Sequence, residues 1–557
     1  MRQQSIYRVR IATIAAAIAS LSVSAFGQTG HSTLTAALQA QAAQAQPANV
    51  VRPLSIDEAV KLALEQNLGI QIQRIDPQIQ DVGVSQARSF WAPNLTSNVS
   101  RQSQVAPSAS VLSGGARVDT GVVASGVGIN QTTPWGANYS ATWNNARVTS
   151  TSSFASFSPQ LSSNLNLQFV QPLLRNFSID QIRQQVTLSK KTRDLSDITL
   201  ESVITQTARG VRNAYWDLSY AINNLKAQQE SLALSAQSLK DNQKRVEIGT
   251  MAPIDIVQAQ AEVASNESSV IVAEAAIKQA QDRLRSLILD PEAPNFWTVE
   301  FDPTDPAPFN EQAVDVDGAV RNALDKRTDL RAARNSLEQS DVTIRYFRNQ
   351  IMPDVNAQVN YIASGLGGTP IPPDPTRSLL GGTSVVPARG FGSVLGDVFQ
   401  NQYPNWTAGV QINYPLGSST AQANLARARL QYQQAQTQMK NLELNVALQV
   451  RDTARNVQTN QKRVQSAKAS RELQEKKLEA EQKKLAAGMS SSFFVFQAQR
   501  DLALSRTLEI LAISDYNKSL VDFEAVQQVP LNGGSGGVTT AGAGALQAGG
   551  IVRTGGN

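Results

Sequence analysis

The chain has 557 residues, room for roughly two to four domains, and carries 50 basic against 45 acidic side chains for a net charge of +5. It contains no cysteine and one histidine, which excludes disulfides, thiolate metal sites, cysteine nucleophiles and a lipid-bearing cysteine at a processed terminus. So near a balance of charge gives no reason to expect a nucleic-acid partner.

The amino terminus reads as a targeting segment. Arg2, Arg8 and Arg10 precede an apolar run from Ile11 to Val23, and Ala25-Phe26-Gly27 supplies the small residues of a cleavage site before Gln28. Residues 1–27 are therefore expected to be removed after export. Residues 28–53 are rich in Ala, Gln and Thr and are expected to be a disordered linker, with His31 a solvated residue in it. No later stretch is apolar over the length that a membrane-crossing helix needs.

From Leu54 the chain has strong periodicity. Ser55 followed by Glu58 has capping-box spacing, and Ala59, Val60, Ala63 and Leu64 keep helical period, with helix to Phe90 before Pro93. Strands follow: a weak one over 94–103, a hairpin over 122–131 and 135–145 turned at Thr133-Pro134, and one over 164–171. In that last strand Leu165, Leu167 and Phe169 alternate with Asn and Gln, the period-2 signature of one apolar and one polar face. Loops are expected over 104–120 and 147–160. From Ser178 to Glu247 there is no Pro and only one Gly, Gly210, which predicts a single helix. At about 1.5 Å per residue it would be on the order of 105 Å long, far beyond a compact core. The turn VEIGTMAPID, residues 246–255, places Gly249 where a helix ends and Pro253 where the next begins. A returning helix is expected over 253–289, then a Pro-rich connector, 290–312, with a short strand between Phe296 and Phe301.

The pattern then recurs. Residues 317–360 align with 57–100, matching Asp317 to Asp57, Ala323-Leu324 to Ala63-Leu64, Arg348 to Arg88 and Pro353 to Pro93. Farther on, Gly488 matches Gly249, and Gln497-Ala498-Gln499 matches Gln258-Ala259-Gln260. The chain is thus a tandem duplication, 54–289 and 313–530, closed by a Gly-rich tail, 531–557, expected to be disordered. In the second copy Val355, Val359 and Tyr361 alternate with Asn and Gln, a loop is expected over 364–403, and Trp406, Val410, Ile412 and Tyr414 alternate with polar residues. Eight steps from Trp406 to Tyr414 span roughly 26 Å, the height of the apolar band of an outer-membrane barrel with aromatics at its rims. These apolar residues are the expected lipid face. A soluble sandwich with one wet face would show the same alternation. Helices over 419–487 and 492–527 complete the second unit.

These residues resemble the TolC-like outer-membrane efflux factor family. The resemblance runs from Leu54 to about Leu531. It is carried by the AVKLAL and AVRNAL helix starts, Pro93 and Pro353 before strands, the QPLL and YPLG strand ends, the two Gly turns each followed by Gln-Ala-Gln, and the closing DYNKSLVDFEAV. It implies a mixed α/β membrane protein: a homotrimer in which each copy gives four strands to one twelve-stranded β-barrel in the outer membrane. Four helical stretches per copy continue it as a long periplasmic α-helical barrel, the half-length returning helices each stacked on a second helix, 72–91 or 332–351. The chain departs from that pattern in its extra hairpin near 122–145, in Asp255 where the second tip has Phe494, and in lacking a Cys for a lipid anchor.

No catalytic constellation is present. Asp315 and Asp317 fall at a helix start, where the dipole explains them, and no cofactor or metal is expected. The expectation is passive conduction of solutes to the outside, driven by an inner-membrane transporter coupled through a periplasmic adaptor protein. The resemblance makes Gly249, Thr250, Met251, Ala252, Pro253 and Asp255, with Gly488, Met489, Ser490, Ser491 and Ser492, the adaptor-docking tip. Lys240, Lys244, Arg245 and Glu247, or Lys476, Lys477, Lys483 and Lys484, are the charged candidates for a constriction. A secreted coiled-coil spacer or adhesin with a β head is the alternative. The transported solute is not encoded in any recognisable pocket motif.

Overall fold

A computed structural model describes residues 50–528 except 109–114, 153–154, 294–295, 308, 312, 372–386 and 418. The signal segment, His31, most of the 28–53 linker and the tail 531–557 lie outside the described residues, as do parts of the three expected loops.

The first repeat opens with strand β1 (Val50–Leu54), helix α1 (Ile56–Gln66) and helix α2 (Leu68–Ser89). Ser55 Oγ accepts from the Glu58 N–H, so the expected cap forms, but the Glu58 carboxylate turns to Arg52 at 2.6 Å instead of closing the box. Strands β2 (Asn94–Pro107), β3 (Arg117–Thr132), β4 (Asn138–Ser150) and β5 (Phe157–Pro172) lead to helix α3 (Gln181–Glu247) and its return, α4 (Ile254–Ile288). After strand β6 (Val299–Pro303) the second repeat gives α5 (Val316–Lys326), α6 (Thr328–Gln350), β7 (Asp354–Pro370), α7 (Phe391–Phe399), β8 (Pro404–Asn413), α8 (Thr420–Ala486) and α9 (Ser492–Val526). Each repeat therefore reads helix, helix, strand, insertion, strand, long helix, half-length helix. The insertion is the β3–β4 hairpin in the first and α7 in the second.

Both long helices have 67 residues, or about 100 Å at about 1.5 Å per residue. Nearest the sheet the helices lie in the order α2, α3, α6, α8; toward the far end the order is α4, α3, α9, α8. The subunit is a palisade four helices wide. Two apolar cores hold it at mid-height. One gathers Leu54, Val60, Val211, Tyr215, Leu218, Leu284, Ile288, Val299 and Phe301; the other gathers Ala323, Leu330, Val450, Val457, Tyr516 and Phe523.

Three expectations are corrected. The segment 28–53 is not all linker: β1 starts at Val50 and pairs in parallel with β6, Leu54 facing Pro303. Burial of Leu54 in the first core drives this. The sequence-predicted strand at 296–301 is displaced to 299–303, since Phe296 turns inward with Val299 and Phe301. The loops expected over 104–120, 147–160 and 364–403 are shortened at their ends by β2, β3, β4, β5 and β7, and the last also holds α7.

A two-faced sheet and a paired helical tip as the candidate functional site

Six strands form one antiparallel sheet in the order β2-β3-β4-β5-β7-β8. Directly opposed residues share a face, so the pairings sort its side chains. Leu167 faces Ala141 on one side and Tyr361 on the other, and Tyr361 faces Trp406. Leu165 pairs with Trp143 and Ala363, Phe169 with Tyr139 and Val359, and Val355 with Ile412, with Val410 opposite Ala357. Nine of the ten residues expected on the apolar face lie together in this way. Tyr414 does not: β8 ends at Asn413, paired to the first residue of β7, so Tyr414 has no opposing residue and precedes Pro415. The same register adds Leu95, Val99, Val127, Ile129, Tyr139 and Trp143 to that face. The opposite face is a lattice of Asn98, Asn144 and Asn164, Thr96, Thr142 and Asn166, and Asn130, Ser140, Gln168, Asn360 and Thr407. Trp406, Val410 and Ile412 are 60–70% exposed in a single subunit. That is a large apolar surface for a protein to leave in water.

At the opposite end the two helical turns are near copies. Gly249 and Gly488 adopt φ of +76° and +74°, a left-handed conformation open to glycine. The Thr250 N–H reaches the Arg245 carbonyl at 2.8 Å and the Met489 N–H reaches Lys484 at 2.9 Å, with the Gly N–H groups bonded one carbonyl nearer at Val246 and Leu485. Both are Schellman closures. The two turns touch where Ser492 Oγ meets Met251 Sδ at 3.7 Å. Of the tip residues expected to dock a partner, Gly249, Thr250, Ala252, Pro253, Gly488, Met489 and Ser491 are exposed, while Met251, Asp255 and Ser490 are partly covered. Ser492 is 3% exposed because it is the residue that seats one turn on the other. Ile248, Ile254, Val257, Phe493 and Phe494 are all more than half exposed around these turns. Sequence reading passed over this apolar collar, although five large apolar residues flanking two glycine turns were visible.

Three of the lysines of α8 at this end are paired locally. Lys477 bonds Asp501 at 2.8 Å, Lys483 bonds Glu479 and Lys484 bonds Glu481, both at 2.7 Å. Glu481 also accepts from Ser490 Oγ, and its two hydrogen bonds, from Lys484 first, hold its pKa below the usual carboxylate value. Farther up, Arg471 bridges Glu475 and Glu509, and Arg506 bridges Glu475 and Glu230, joining α8, α9 and α3. Among the described residues no group of three or more His, Asp or Glu could hold a metal ion, and no helix is long and apolar enough to cross a membrane.

The chain thus joins a two-faced sheet to a tall palisade of helices, and comparison with known proteins places that combination. A profile for outer membrane efflux proteins matches residues 59–288 and 319–526, the two repeats in turn. The chain belongs to the outer membrane efflux protein family. A comparison with curated protein sequences returns no match. Among solved structures this efflux protein is similar to a Pseudomonas aeruginosa membrane protein, with a TM-score of 0.60, 15% identity, and cover of 85% of this chain and 92% of that one. VceC of Vibrio cholerae gives 0.58, 16%, 86% and 96%, and the CmeC outer-membrane channel of Campylobacter jejuni gives 0.58, 13%, 85% and 85%. At such identities the likeness is one of fold: that of TolC-like outer-membrane channels built from tandem repeats. The efflux protein is an outer-membrane efflux channel, and its family is one of channels and not of enzymes.

Proposed function

We propose that this efflux channel is the exit duct of a tripartite export system, assembled as a homotrimer whose sheets close one barrel in the outer membrane. The apolar sheet face, including Leu165, Leu167, Phe169, Val355, Val359, Tyr361, Trp406, Val410 and Ile412, meets lipid, and the Asn, Gln, Ser and Thr lattice lines a water-filled bore. The helices extend the duct through the periplasm. Their tips, at Gly249–Pro253 with Asp255 and Gly488–Ser491, are where a periplasmic adaptor docks, with the inner-membrane transporter behind it. Conduction is passive, along a water-filled polar bore. Residues 1–27 direct export and are removed. The observation that supports this reading is the continuity of a two-faced sheet with a four-helix palisade about 100 Å tall.

The tip assignment is tested by Gly488→Val. A β-branched residue at φ +74° costs about 1–2 kcal/mol or more and opens the turn. The variant is expected in the outer membrane at wild-type abundance but with export lost, read as solute retention in cells lacking other exit ducts. Wild-type export from the variant would refute the docking role.

A further inference from the structure

We infer that all six strands of each copy enter the membrane wall, so that three copies close a barrel of eighteen strands in which β2 of one copy pairs with β8 of the next. This rests on the trimeric duct proposed above and fixes its strand count, its seam and its bore.

The inserted hairpin is wall rather than surface flap. β3 stays in register with β2 from Asn94↔Asn130 to Pro107↔Arg117, and β4 with β3 from Thr132↔Asn138 to Thr120↔Ser150. Its turn reaches the base of the sheet, where the strands meet the helices. There the Gln131 side chain donates to the Trp91 carbonyl at 2.7 Å, and Gly136 lies against Arg183 at the start of α3. The hairpin therefore traverses the same height as its neighbours, and over the half nearest the helices it keeps their two faces, with Val127, Ile129, Tyr139, Ala141 and Trp143 on one and Asn130, Ser140, Thr142 and Asn144 on the other.

The sheet ends at β2 and β8 without closing, and both edge strands are exposed along nearly their whole length. An open edge cannot stand in lipid, because its N–H and C=O groups have no partner there. β2 runs away from α2 and β8 runs back into α8, so the two edges meet antiparallel. Their faces correspond: Leu95 and Val99 on β2 share the face that Trp406, Val410 and Ile412 occupy on β8. The occupant of each edge is a second copy of this chain.

The helices below repeat the seam. In α2, Ile70, Pro77 and Val84 are buried, whereas Leu68, Ile72, Ile75, Ile79 and Val82 are exposed at alternating four- and three-residue steps. At about 100° per residue that stripe points away from the buried side. In α8, exposed Leu444 and Leu448 flank buried Val446 two residues either way, giving the same outward direction. α2 leads into β2 and α8 follows β8, so edge strands and stripes lie on the same two flanks.

Circumferences agree as well. Eighteen strands spaced about 4.8 Å and tilted about 40° enclose about 113 Å, a diameter of about 36 Å, against about 24 Å for twelve. Twelve helices spaced about 9–10 Å enclose about 110–120 Å. Wall and tunnel are then equally wide.

The chain has no cysteine, so engineered pairs have no background. Val99→Cys is combined with single cysteines along residues 407–411 of β8, or along 163–167 of β5, and the full chain is oxidised in outer membranes. Expected are β2–β8 links between copies, giving a ladder that stops at three, and eighteen strands by electron cryomicroscopy of the purified protein. Links between β2 and β5 inside one chain, or trimers without β2–β8 links, would overturn the strand count and leave the duct standing. A water-soluble single copy would remove the duct and this inference with it.

Discussion

Two tyrosines hold the molecule at mid-height. Tyr215 is fully buried on α3; its O–H lies 2.9 Å from Asp305 Oδ2 and 3.2 Å from the Leu54 carbonyl, while its oxygen accepts from the Asp305 N–H at 3.0 Å. It thereby staples β1 and the connector between repeats to the long helix, and burial raises its pKa well above the usual phenol value. In the other core, Tyr516 donates to the Asn310 carbonyl at 2.6 Å. Tyr215→Phe leaves Asp305 short of a partner and is expected to cost about 1–3 kcal/mol, seen as a lower urea midpoint of the stalk; an unchanged midpoint would count against the staple. A second residue-scale effect is acid sensitivity. Burial pushes the Glu475 pKa up, but hydrogen bonds and charge from Arg471 and then Arg506 outweigh it and hold it below the ordinary 4.5. A depressed carboxylate adds stability that is present above its unfolded-state pKa and lost as pH falls through the folded-state one. Amide protection where α8, α9 and α3 meet, taken relative to the intrinsic exchange rate at each pH, is therefore expected to fall below about pH 4.5, and Arg471→Met should remove most of that dependence.

At the scale of elements, α7 seats on the apolar sheet face beside the most polar stretch of it. Ser163 is buried there, accepting from Trp143 Nε1 at 2.9 Å, and Phe399 stacks edge-on against Trp143. Val394 lies so close over Gly365 that a Cβ at that glycine would overlap its carbonyl. Gly365→Val should lift α7 at about 1–3 kcal/mol, raising amide exchange across Phe391–Phe399 while β7 stays protected; equal protection in both would deny the seat. This element could not be read in advance. Its glycines and loop-rich flanks look like punctuation, and the helix is held by a surface from β5 and β7 that no local pattern encodes. The long helices were legible because a Pro-free, single-Gly run admits nothing else, and β5, β7 and β8 because their alternation is strict. β3 is mostly Gly, Val, Ser and Ala, so its ends merged with the loops. Val50–Pro53 read as linker because their partner strand is about 250 residues away.

For the whole molecule, one subunit is a sheet with two open edges on a palisade of helices, with apolar stripes on α2 and α8. With the closure by further copies proposed above, insertion, assembly and conduction should stand or fall together. At the far end Ile248, Ile254, Val257, Met489, Phe493 and Phe494 form an exposed apolar collar, a surface suited to the docking proposed for the tip. Charging that collar with Phe493→Glu and Phe494→Glu should abolish adaptor co-purification without changing outer-membrane abundance. The most direct measurement is single-channel recording of the purified full-length chain in planar bilayers. Stepwise, reproducible ion conductance from three-copy particles is the predicted result. A protein that stays in solution and gives a silent bilayer would contradict the account.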